Sequence, residues 1–138
     1  MTQEDKKLLL KDLCARLPYG VKFACNKNVY TATGLDLIVT DEGDWEYAVT
    51  AKGIVPIEID FIKPYLFPLS SMTDEQKREY NFWKHEVFIC HYEYGDVVEE
   101  IELYDSPESF EYLIENHFDY RCLIEKGLAI DATGLSIY

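Results

Sequence analysis

His85, His91 and His117, together with Cys90 and a dense run of carboxylates, are the side chains whose chemistry could reach beyond folding. As metal ligands they would need paired spacing, i and i+4 on a helix or a C-x-x-C pair, because those spacings converge ligand atoms on one ion. Neither occurs. Cys14, Cys25, Cys90 and Cys122 stand far apart and read as four reduced thiols in a core. As catalysts, Cys90 or Cys122 with a histidine base would make a nucleophile, and two of Glu93, Glu100 and Glu102 an acid and base pair. No P-loop, dinucleotide fingerprint, nucleophile elbow or H-E-x-x-H frames any of these groups. The reading is therefore non-enzymatic, with no cofactor and no metal. The turn Asp41-Glu42-Gly43-Asp44 has calcium-compatible oxygens but lacks the alternating ligands of an EF-hand loop, and reads as a hairpin turn.

The carboxylates point elsewhere, because they are unevenly placed. The chain has 138 residues with 26 acids against 13 bases, a net charge of -13, which argues against direct binding to nucleic acid or an anionic membrane. Between His85 and Tyr120 there are eleven acids and no Lys or Arg. Val87, Phe88, Ile89, Val97, Val98, Ile101, Leu103, Phe110, Leu113 and Ile114 are interleaved with them, so the segment reads as folded with one acidic surface rather than as a disordered tail. Eleven tyrosines accompany it. Tyrosine buries its ring while its hydroxyl stays wet, which suits interfaces. Glu93, Glu100, Glu102, Tyr104, Glu108, Glu111, Tyr112 and Glu115 are thus the expected partner-binding residues, with Tyr120 also among like charges, and the partner they suit is a basic protein.

Length and 48% hydrophobic content describe a single soluble domain over residues 1–138. Near the start, the apolar run Leu8-Leu9-Leu10 is too short for a secretory signal, and no stretch approaches the roughly twenty residues of a membrane span. Cytoplasmic location is the expectation.

The elements that must position these residues read as an α+β fold. Thr2 caps a helix from about Glu4 to Arg16, and Pro18 stops it. Short strands follow from Val21 to Phe61. Apolar groups on both faces of Leu35–Thr40 and Trp45–Thr50 predict a small curled antiparallel sheet, either an SH3-like barrel or a sheet covered by the first helix. Ile57, Ile59 and Phe61 alternate as the buried face of a further strand. Pro64 and Pro68 predict an extended connector, after which Thr73 and Gln76 have capping-box spacing for a helix to about Lys84, with Tyr80 and Trp83 docked on the core. A hairpin spans residues 86–104. Ser106-Pro107 then starts a helix to about Asn116 whose outer face carries Glu108, Glu111 and Glu115, and a helical turn over Tyr120–Lys126 ends at Gly127.

With Gly95-Asp96 as the hairpin turn, opposed residue numbers sum to 191. Cys90 then faces Ile101 on a buried apolar side, and His91 faces Glu100 outside, where a carboxylate favours the charged imidazole.

Three stretches, MTQEDKKLLLKDLCARLPYGVK (Met1–Lys22), IKPYLFPLSSMTDEQKREY (Ile62–Tyr80) and HFDYRCLIEKGLAIDA (His117–Ala132), resemble a family of uncharacterised small proteins of Bacteroides-type gut bacteria and their phages. Cys122 stands where the family pattern has Gly. The resemblance carries no activity and implies a bacterial cytoplasm and a phage or mobile-element gene. The expected function is an acidic interaction protein that binds or inhibits a basic host protein. The alternative is a small-ligand domain, of nucleotide type, built around Trp45 and Tyr47 with Lys22, Lys27, Lys52 or Arg121 gathered for phosphate.

Overall fold

Thr2 opens the first helix, α1 (Gln3–Arg16), with a capping box: its hydroxyl accepts the Asp5 amide at 3.0 Å and the Asp5 carboxylate accepts the Thr2 amide at 3.2 Å. Leu9 and Leu13 are fully buried. A short turn through Leu17–Tyr19 ends the helix, and Gly20 takes the left-handed conformation at φ 69° that reverses the chain. The computed structural model describes all residues, Met1–Tyr138. They form two units, one of Met1–Ser71 with Ile114–Tyr138 and one of Met72–Leu113.

The first unit combines α1 with β1 (Lys22–Cys25), β2 (Asn28–Val39), β3 (Trp45–Ala51), β4 (Ile57–Glu58), β5 (Lys63–Pro68), β8 (Phe118–Asp119) and β9 (Ile130–Asp131). Strand order is β4-β3-β2-β1-β5-β8, with β9 also on β5, and the sheet stays open rather than closing into the SH3-like barrel. The α+β class stands. The pattern of Val29–Thr33, then Gly34, then Leu35–Thr40 predicts two strands, and they are one: β2 runs through Gly34 and pairs β1 over Asn28–Thr31, then β3 over Ala32–Val39 beyond an irregularity at Ala32/Gly34. Glycine belongs there because a Cβ would meet Thr50 Oγ1 at 3.1 Å.

Several expectations are corrected. The alternating strand keeps only Ile57–Glu58, after which Ile59–Phe61 turns, burying Ile59 and leaving Phe61 exposed. The proline connector is the strand β5, antiparallel to β1 and parallel to β8 and β9. Prolines fit because Pro64 ends its two-pair ladder with β1, and Pro68 ends the ladder with β8. The helical turn expected after Tyr120 is present as a single turn, with Lys126 donating to the Cys122 carbonyl at 3.2 Å, and Gly127 at φ 73° closes it as the amides of Gly127 and Leu128 reach the Ile124 and Leu123 carbonyls, while the Asp119 carboxylate accepts the amides of Leu123 at 3.0 Å and Ile124 at 2.9 Å. Cys122 there has φ 59°, the conformation in which glycine is at ease. Of the four free thiols only Cys25 is buried, so the core-thiol expectation holds for one of them.

Phe23, Ile59, Ile62, Leu66 and Leu123 join Leu9 and Leu13 in the core of the first unit. At its margin lies a buried ion pair, with Arg16 Nε donating to Asp12 Oδ2 at 2.8 Å and both side chains almost wholly out of solvent. Arg16 also donates to the carbonyls of Phe118 at 2.6 Å and Ile114 at 3.5 Å. Arg121 Nε is 3.3 Å from Asp12 Oδ1, close enough to pair as charges but not aligned as a hydrogen bond. Tyr120 lies beside these two arginines rather than among acids, its ring 4.7 Å from the Arg121 guanidinium.

The second unit holds α2 (Asp74–Phe82), β6 (His85–Glu93), β7 (Asp96–Tyr104) and most of α3 (Pro107–Glu115). Thr73 and Gln76 form the expected capping box at 3.1 and 2.9 Å. No helix of the chain is long and apolar enough to cross a membrane.

Candidate protein interaction surface

Within the second unit the two helices meet through tyrosines. Tyr80 and Tyr112 stack with centroids 6.3 Å apart, Tyr80 donates its hydroxyl to Asp105, and Tyr112 donates to Glu79 Oε2 at 3.0 Å. Burial, reinforced by Glu79, pushes the Tyr112 phenol up to about 12. Tyr112 is therefore a packed residue and its ring is withdrawn from the expected partner-binding set. Trp83 is exposed instead of docked, with its ring edge-on to Phe82 at 5.1 Å.

The hairpin differs from its predicted register by two. Opposed residues sum to 189: Cys90 faces Glu99, His91 faces Val98, and Glu100 faces Ile89. The turn is Tyr94-Gly95, both with positive φ (50° and 84°), the type I′ geometry that wants glycine second. A Gly95-Asp96 turn would have put Asp96 in that position. Because side chains alternate with period two, a shift of two leaves every residue on its predicted face. Glu93, Glu100, Glu102 and Tyr104 do share one face, where Tyr104 donates to Glu102 Oε2 at 2.5 Å and that carboxylate raises the phenol pKa. His91 meets no carboxylate across the strands; its nearest is Glu93 on its own strand, at 3.8 Å.

The opposite face is the larger surprise. Phe88, Cys90, Tyr92, Val97, Ile101 and Leu103 share it as predicted, with Glu86 and Glu99 among them, yet it is open to solvent, with Phe88 67%, Tyr92 81%, Val97 60% and Ile101 55% exposed. Its apolarity was legible in the alternation; its lack of a cover was not, because a residue pattern specifies a face and not what lies against it. Glu108 and Glu111 are exposed on α3, while Glu115, also exposed, falls in the first unit. The second unit has twelve acids and three bases, a net of -9.

The residues of the alternative reading lie in the first unit. Trp45 and Tyr47 line a hollow of about 240 Å³ with Lys6, Leu10, Leu37 and Ile59. Lys6 is already bridged to Glu46 at 2.7 Å and Asp60 at 3.1 Å, which raises its pKa and lowers that of Glu46. Lys22 donates to the Ile137 carbonyl at 2.9 Å and Arg121 faces Asp12, so these cations are engaged at other places. No three His, Cys, Asp or Glu side chains converge as a metal set. Compared with known proteins, the chain matches no family model, no curated protein and no solved structure.

Proposed function

We propose that this chain is a non-enzymatic interaction protein whose hairpin unit binds, and by occupying a nucleic-acid site inhibits, a positively charged protein. The context that goes with this reading is a bacterial cytoplasm and a phage or mobile-element gene. The observation that carries it is the juxtaposition on one exposed hairpin of an apolar face and the acids Glu93, Glu100 and Glu102 within a unit of net charge -9. Uncovered apolar surface supplies affinity once water is expelled, and surrounding charge of one sign supplies attraction over distance and selects the partner. The nucleotide-pocket alternative is weaker, since a phosphate at the Trp45 hollow would have to displace two carboxylates from Lys6.

Affinity capture from a Bacteroides-type lysate, eluted with rising salt, tests the proposal. A basic protein should elute at moderate salt and be lost when Glu100, Glu102, Glu108 and Glu111 are all replaced by Lys, because screening and reversal remove the same attraction. Capture that survives the four reversals overturns the reading. Native mass spectrometry showing a retained small molecule would favour the pocket instead.

A further inference from the structure

The hairpin is a sheet of two strands, so β7 has β6 on one side and no strand on the other. Natural edge strands are blunted by charged side chains, Lys above all, by Pro, by a bulge or by a cover. Strand β7 lacks Lys and Pro, and its nine pairs with β6 run without a break in register; the charge it does carry, on Asp96, Glu99, Glu100 and Glu102, is all acidic and so repels another acidic strand but not a basic one. In a hairpin closed by a type I′ turn the Glu93 and Asp96 pair exchanges hydrogen bonds, and the pairs alternate from there. The amides and carbonyls of Val97, Glu99, Ile101 and Leu103 therefore point away from β6. Their side chains lie on the apolar face, and those of Asp96, Glu100 and Glu102 lie on the other. The outer edge of β6 is less acidic on that face, with His85, His91 and Glu93.

We infer that the partner is captured by strand addition: an extended segment alternating apolar residues with Lys or Arg pairs along the open edge of β7. This deepens the interaction reading and rests on it. The alternation is dictated by the pleat. On one face the incoming side chains meet Val97, Ile101 and Leu103 with Glu99 among them, and on the other they meet Asp96, Glu100 and Glu102 with Val98 among them, where opposite charges across strands are favourable and like charges are not. The same acids decide the occupant. A second copy of this chain would bring another unit of net charge -9 to the edge, whereas a basic strand neutralises it.

The test uses the full chain and two acetylated peptides matched to the nine residues of β7. One alternates lysine with valine or isoleucine; the other has the same composition with its apolar residues at helical spacing. The alternating peptide should bind at least tenfold more tightly and slow amide exchange at Val97, Glu99, Ile101 and Leu103. Glu99→Pro, which removes one outward amide without touching the ladder to β6, should abolish that preference. Ile101→Lys, at an exposed position that tolerates the charge, should do the same and serves if the proline variant does not fold. Equal binding of both peptides with no amide protection overturns strand addition while leaving the charge-based reading standing. Binding of neither peptide at low salt removes both. Protection of the same amides by self-association, without peptide, assigns the edge to a second copy and overturns the proposal.

Discussion

The imidazole of His117 lies flat against the phenol ring of Tyr138, with centroids 4.0 Å apart and planes 14° from parallel. Tyr138 in turn accepts the Lys22 amide at 2.9 Å and donates to the Tyr65 carbonyl at 2.8 Å, so one ring ties β1, β5 and the residue before β8 together. His117 is buried, its Nδ1 has no partner, and its backbone sits at φ 61°.

That burial, with the Arg16 charge nearby, pushes the His117 pKa down to about 4 from 6.5. The folded state thus holds a neutral ring where the unfolded chain binds a proton. Stability from this group is complete above about pH 6.5, falls as pH drops toward about 4, and changes no further below that. Urea unfolding should show a loss of about 2 kcal/mol between about pH 7.5 and about pH 5. His117→Asn, which suits the left-handed backbone and does not titrate, should flatten that slope. An unchanged slope would mean another group carries it.

A second prediction concerns the Asp12 and Arg16 pair. Asp12→Ala leaves a guanidinium with no exposed surface and no counter-charge, and should cost about 3–5 kcal/mol by urea unfolding. The double change Asp12→Leu with Arg16→Met should recover only part of this. Arg16 also serves the carbonyls of Phe118 and Ile114, which methionine cannot. Full recovery would show those bonds to be dispensable.

What could be read from the chain was local chemistry with a fixed geometry. Thr2, and Thr73 with Gln76, mark helix starts because a cap satisfies specific amides within four residues. Strands β8 and β9 left no trace, since two residues carry no periodicity and both pair with β5 across more than fifty positions. Pro64 and Pro68 misled because proline forbids only certain ladder positions. At the candidate site the faces of the hairpin were legible and its exposure was not, which is why Cys90 was expected inside.

Cys122 offers a sharper check on local backbone. At φ 59° a Cβ costs energy that glycine avoids, and the thiol is exposed, so nothing packed is lost on its removal. Cys122→Gly should stabilise the protein by about 0.5–1 kcal/mol after the added freedom of the unfolded chain is set against the relief. Cys122→Ala keeps the strained Cβ and should not. Equal midpoints for the two variants in thermal unfolding would refute the argument.

The hairpin register decides which amides of β7 face outward, since a shift of two keeps the side chains in place but exchanges bonded for non-bonded pairs. With numbers summing to 189, Cys90 and Glu99 form a non-hydrogen-bonded pair, in which Cα atoms approach to about 4.5 Å. That separation admits a disulfide. Glu99→Cys should therefore cross-link to Cys90 under mild oxidation, found by peptide mapping, whereas Ile101→Cys should leave Cys90 reduced. In a register summing to 191 the outcome inverts, and Val98, Glu100 and Glu102 would then present the open edge in place of Val97, Glu99, Ile101 and Leu103.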